Sequence, residues 1–185
     1  MTRWLRFVIA WFTAKRRPAL GPTGEVVQRT RAWFTECDAA FMNHAAMLVL
    51  CEATRIELMI RTGFLANARQ RGWYFPTSAV YVHYRRPIPR FARVTVTGRV
   101  ANWDDEEMWI EHRVLVGERL AALVAMRGVV REGRTKVPLA AMARELWPGA
   151  APPALPEWIE RIRTGDAACR TFAAQLGDAA GPAAR

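Results

Sequence analysis

The chain has 185 residues, a hydrophobic fraction of 51% and a formal net charge of +10. That length suits one domain with a real core, and that hydrophobic fraction excludes wholesale disorder. The excess of Lys and Arg runs along the whole chain with no RRM, helix-turn-helix or zinc-finger motif, so no nucleic-acid partner is expected.

Residues 1–24 read as a basic amphipathic segment. Trp4 to Ala14 plots as a helix with Trp4, Leu5, Phe7, Val8, Trp11 and Phe12 on one side. Arg3, Arg6, Thr13 and Arg17 lie on the other, and Lys15-Arg16-Arg17 follows at once. The apolar run is far too short to span a bilayer. It also lacks the small-x-small cleavage site of a signal peptide. Two readings stay open: a helix lying in an anionic lipid interface through residues 3–17, or one docked on its own sheet or on a partner subunit.

Glu25 to Thr35 reads as a first strand. Next comes an acid cluster, Glu36 and Asp38, just before a Met42-Asn43-His44 step. Asn43 is a natural N-cap, Ala45 to Thr62 are helix formers, and Gly63 is a natural stop. Met47, Leu48, Leu50, Cys51, Ile56, Leu58, Met59 and Ile60 leave this helix no continuous polar face, so other elements must enclose it. Glu57 and Arg61, at i and i+4, are expected to pair on the narrow strip that reaches water. A carboxylate is thereby placed beside the positive end of a buried helix. Those are the two parts needed to attack a carbonyl and to stabilise the resulting oxyanion.

Four strands follow. Ala79 to Arg86 alternates until Pro87 and Pro89 end it. Arg93 to Val100 places Val94 and Val96 opposite Arg93, Thr95 and Thr97. Asn102 to Glu107 is a polar turn, Met108 to Val116 a third strand, and Leu120 to Arg131 a fourth after the Gly117-Glu118 turn. This spacing predicts an antiparallel meander with an edge near Leu120 to Arg131, and exposed edges invite pairing between copies. The fold class is α+β, a sheet wrapped around a long central helix. Residues 25–147 form this domain. Pro138 to Leu146 reads as a short helix closing that domain; beyond it, 148–185 is a Pro/Ala-rich linker and helical tail, with Trp158 to Arg163 and Ala167 to Leu176 as short helices and Asp178 to Arg185 frayed.

Roughly Glu25 to Leu146 resembles the hotdog-fold acyl-CoA thioesterases, in the branch similar to 4-hydroxybenzoyl-CoA thioesterase. The resemblance is carried by Glu36-Cys37-Asp38, Phe41-Met42-Asn43-His44, the Glu52/Arg55 pair, Tyr84-Arg85-Arg86-Pro87, and Trp103-Asp104-Asp105 leading to Trp109. Phe41 stands where the family has its leading histidine, and His44 where it has a second asparagine.

The resemblance implies hydrolysis of a fatty or aromatic acyl-CoA to free acid and CoA. Asp38 would be nucleophile or general base, and Asn43 or His44 would orient water or the acyl group. Backbone N–H groups near Ala45 to Met47 would polarise the thioester carbonyl. Tyr84 stands in the motif at the substrate's strand end. Arg85, Arg86 and Arg90 would form a basic rim for the CoA phosphates.

A homodimer or dimer of dimers is implied, and no cofactor. Two other classes share the fold. One is a non-hydrolytic acyl-CoA binder or scaffold, favoured by the altered helix opening. The other is a dehydratase, for which His44 with Glu52 or Asp38 is the candidate dyad.

The three cysteines, Cys37, Cys51 and Cys169, and the histidines His44, His83 and His112 have no metal-ligand spacing, so no metal is expected. An odd cysteine count suits a reducing, cytoplasmic compartment, with any lipid contact at the inner membrane face. Cys37 beside Asp38 is a rival nucleophile, with no histidine seen to activate it.

Overall fold

The computed structural model describes residues 3–179. It begins with helix α1 (Arg3–Arg16), strand β1 (Glu25–Arg31) and a single 3-10 turn at Phe34–Glu36. Two short strands, β2 (Cys37–Asp38) and β3 (Phe41–Met42), form a tight hairpin that leads into helix α2 (His44–Arg61). Helix α3 (Phe64–Arg71), β4 (Trp73–Tyr74), β5 (Thr77–Tyr84), β6 (Arg93–Trp103), β7 (Met108–Val116) and β8 (Arg119–Gly128) follow. The remainder is β9 (Val130–Glu132), β10 (Thr135–Val137), α4 (Leu139–Leu146) and α5 (Glu157–Ala179). The described residues fall into two compact units, 3–153 and 154–179.

The main sheet has five antiparallel strands in the order β1-β6-β7-β8-β5. Helix α2 lies against it. Met47, Leu50, Cys51 and Leu58 share one core with Val94, Val96, Val100, Ile110, Val114, Val124 and Met126. The helix starts at Asn43, whose side-chain oxygen accepts from the Ala46 amide at 2.7 Å. It ends at Thr62, and Gly63 (φ 78) then takes the left-handed conformation that glycine adopts without strain.

Several expectations need correction. The strand read as Glu25–Thr35 stops at Arg31, because the Glu36 carboxylate accepts from the Trp33 amide at 3.1 Å and closes the 3-10 turn. The strand read as Ala79–Arg86 ends at Tyr84, because the Arg85 and Arg86 amides both turn to the Ala121 carbonyl, at 2.8 and 3.1 Å. The strand placed at Leu120–Arg131 breaks after Gly128, where the Phe75 ring occupies the space of a Cβ.

That strand is also not an edge, since β8 lies between β7 and β5. The edges are β1 and β5, because the chain inserts β5 beyond β8 rather than keeping the strands in sequence order. In the tail, Trp158–Arg163 and Ala167–Leu176 belong to one continuous helix, α5. Its Gly165 has open space around it, and one helical glycine costs only about 1 kcal/mol. Of the stretch Asp178 to Arg185 read as frayed, Asp178 and Ala179 continue helix α5, and residues 180–185 lie outside the described residues.

Glu57 and Arg61 do pair, at 2.9 Å, but on no surface strip. Glu57 is fully buried and also accepts from Arg17 at 2.8 Å and Gln28 at 2.9 Å. Its burial is tolerable because both carboxylate oxygens are engaged by donors, two of them cations.

Candidate active site

The β2–β3 hairpin fixes where Asp38 sits. Asp38 pairs with Phe41 across a two-residue loop whose first residue, Ala39, takes φ 55. Two long-range backbone bonds, Met42 N–H to Ile88 O at 2.9 Å and Arg90 N–H to Ala40 O at 2.8 Å, and one local bond, Asn43 N–H to Glu36 O at 3.0 Å, hold the hairpin. The loop after β5 is therefore fastened to the hairpin, and the two elements named from distant parts of the sequence meet.

Asn43 links the hairpin to the helix. Its amide oxygen caps Ala46, so its amide nitrogen is turned toward Asp38, donating to Oδ1 at a long 3.4 Å. The Met47 N–H is engaged by the Asn43 carbonyl at 3.1 Å. Of the first-turn donors, those of Ala46 and Met47 are thus used, and those of His44 and Ala45 have no intrahelical acceptor. Both residues are exposed. Two N–H groups at the positive end of α2, with the exposed Asp38 carboxylate hydrogen-bonded to the helix cap, can hold a carbonyl oxygen on which negative charge develops.

A cleft of about 130 Å³ opens at this helix end. Asn43, His44, Met47, Tyr84 and Arg86 line it, together with Met42, Pro87, Ile88, Ala121 and Ala122. Five of the nine candidate residues are thereby brought to one place. Asp38 stands beside the cleft through Asn43, and Arg90 beside the hairpin. Ala45 and Arg85 do not line it. Arg85, Arg86 and Arg90 are all exposed on the segment after β5. Met42, Ile88 and the pair Ala121 and Ala122 are lining residues that sequence reasoning missed. Apolar residues of this kind carry no chemical signal until the fold brings them together.

Other polar groups fall away from the site. Glu36, the first acid of the cluster, is buried and bound to Arg6. The Cys37 thiol is pushed up, first by burial, then by the Glu36 charge, with the Arg90 charge opposing and Asp38 adding, so it is not activated as a thiolate. Cys51 is buried and pushed up to about 12 by desolvation. Glu52 Oε2 accepts from Arg55 Nη2 at 2.5 Å and Nε at 3.0 Å. It also lies eight residues along α2 from His44, about 12 Å at 1.5 Å per residue. His44 forms no ion pair with Glu52 or Asp38 among the described residues. Among the described residues there is also no group of three or more His, Cys, Asp or Glu side chains able to hold a metal ion.

The profile of the thioesterase-like superfamily matches residues 32–162. No curated protein matches the sequence. Among solved structures the chain is similar to the probable thioesterase YbaW from Escherichia coli, at 14% identity and a TM-score of 0.61, over 65% of this chain and 94% of that one. It is similar to the 1,4-dihydroxy-2-naphthoyl-CoA thioesterase Slr0204 from Synechocystis at 15% identity and TM-score 0.58, covering 66% and 95% of the two chains. A hypothetical protein from Thermus thermophilus, TT1821, matches at 24% identity and TM-score 0.57, over 67% and 93%. At such identities the likeness is one of fold, the antiparallel sheet wrapped around a central helix that defines the hotdog architecture.

Proposed function

We propose, from the premise that this chain belongs to the thioesterase-like superfamily, that it hydrolyses an acyl-CoA thioester to free acid and CoA. The observation that carries the reading is the exposed Asp38 carboxylate hydrogen-bonded to Asn43, the cap of a helix whose first two amides, His44 and Ala45, have no intrahelical acceptor. In this reading the thioester carbonyl oxygen accepts from those two amides. Asp38 either attacks the carbonyl carbon, expelling the CoA thiolate and forming a mixed anhydride that water then cleaves to free acid, or takes the proton of a water that attacks the carbonyl and expels the thiolate directly. The cleft beyond Met47 receives the start of the acyl group, and Arg86, Arg85 and Arg90 face the CoA phosphates.

The working unit is a homodimer paired through β5. The β1 edge is defended: Arg17 donates to the Val27 carbonyl at 3.2 Å, and Arg29 and Arg31 place charge along it. Strand β5 carries no Lys, Arg, Asp or Glu and leaves Val80 and Tyr84 exposed, as an edge built for pairing would. Three free thiols support a cytoplasmic location. The test is turnover across acyl-CoAs of increasing chain length and one aromatic acyl-CoA, with light scattering at micromolar protein. Thioester cleavage by a dimer is expected. Tight binding of the panel without turnover would replace the hydrolase with a non-hydrolytic acyl-CoA binder on the same fold.

A further inference from the structure

Helix α1 docks on its domain through Arg6 and two alanines rather than through its large apolar side chains. Arg6, Ala10 and Ala14, each four residues apart, are buried. Arg6 is bound to Glu36, and Arg17, just past the helix, is bound to Glu57. The side left outside is apolar: Trp4 is 72% and Phe12 57% exposed, with Leu5, Val8 and Ile9 close to half exposed. A helix folded only onto its own domain turns this stripe toward the core. Here the stripe is reversed, and its five large side chains share one face.

The charge around that face has one sign. Helix α1 contains no Asp or Glu, and Lys15 and Arg16 are exposed at its end. A cleft of about 420 Å³ runs between α1 and β1, with Arg29 and Arg31 among its lining residues. The same two arginines meet Arg93 in a second cleft, of about 450 Å³, across β1. Arg29 makes no side-chain hydrogen bond or ion pair among the described residues, so its charge is available. A second copy of this chain is a poor occupant. A two-fold contact is self-complementary and would set one all-cationic flank against another.

We propose that the outer face of α1 is a docking surface for a bilayer carrying anionic headgroups. Trp4, Leu5, Val8, Ile9 and Phe12 enter the headgroup–acyl boundary, and Lys15, Arg16 and Arg29 meet lipid phosphates. The surface is separate from the cleft at the start of α2, so binding is measured without reference to catalysis.

The experiment is flotation of the full-length protein with phosphatidylcholine vesicles and with vesicles in which roughly a third of the lipid is phosphatidylglycerol. Flotation with the anionic vesicles, weakened by salt, is expected. Trp4→Glu with Phe12→Glu should abolish it while thermal unfolding in solution is unchanged, because both side chains face outward. Arg29→Ala removes an unpaired cation, leaves folding untouched, and should weaken anionic-vesicle binding roughly fivefold. Equal retention on both vesicles, retention on neither, or a Trp4→Glu/Phe12→Glu variant whose only change is a smaller mass in light scattering would overturn the proposal. The last result would make the face a subunit interface.

Discussion

Arg6 and Glu36 form a bidentate ion pair, Nε to Oε1 at 2.5 Å and Nη2 to Oε2 at 2.6 Å, with both side chains less than a tenth exposed. Arg6 also donates to Thr30 Oγ1 at 2.9 Å and the Arg31 carbonyl at 3.1 Å. The pair fastens α1 to the turn whose Glu36 carbonyl accepts from Asn43, the residue that caps α2 and faces Asp38. Removing one partner leaves the other charge buried and alone. Arg6→Ala should therefore destabilise by about 3–5 kcal/mol, read as a lower urea midpoint at pH 7. A loss under 1 kcal/mol would mean that water reaches Glu36 and the pair is not buried in solution.

Asp38→Asn keeps the side-chain shape and removes the charge that attacks or activates water. The cost should fall on kcat by orders of magnitude, with KM little changed, as when a group acts only in the transition state. Folding should survive, because an exposed carboxylate at the end of a hairpin contributes little to stability. Cys37→Ala should stay near wild-type turnover, since its thiol is held protonated. Near-normal activity in Asp38→Asn would remove Asp38 from the mechanism.

Ala39 occupies the left-handed region at φ 55, where an L-residue with a Cβ is strained by about 1 kcal/mol or more. Ala39→Gly should relieve that strain and raise stability by about 1 kcal/mol, less the entropy that glycine loses on folding. The check is thermal unfolding beside turnover. A stabilised variant with lower kcat would show that the strained turn also positions Asp38.

His112 is fully buried on β7, opposite Gly98 and beside Thr54, and neither ring nitrogen has a hydrogen-bond partner of normal geometry. Burial first, then the Arg55 charge, push its pKa down to about 3, with the Thr97 backbone pulling weakly the other way. Its folded pKa lies below the unfolded value near 6.5, so the unfolded chain binds the extra proton between them. This contribution to stability is fully present above about pH 6.5 and is lost as pH falls toward 3. His112→Leu should flatten the fall in urea midpoint between pH 7 and pH 5 relative to wild type. An unchanged slope would place the acid sensitivity elsewhere.

The features legible in the sequence are those decided within a few residues. Asn43 caps the helix through a bond three residues away, and Gly63 ends it by backbone conformation alone. Strand β7 runs over Met108–Val116 as its flanking turns indicate, and Val94 and Val96 face the core. The acid beside a helix start was likewise local and readable.

Periodicity marks which side of an element is apolar, but not what will cover it. Only the folded chain turned the apolar side of α1 outward, put β5 rather than β8 at the sheet edge, and buried Glu57 between Arg17 and Arg61. The same holds for the cleft, where Tyr84 and Arg86 meet His44 about forty residues away in sequence. These outcomes rest on contacts between segments far apart in the chain, where ion pairing and burial decide among arrangements that local pattern leaves equal.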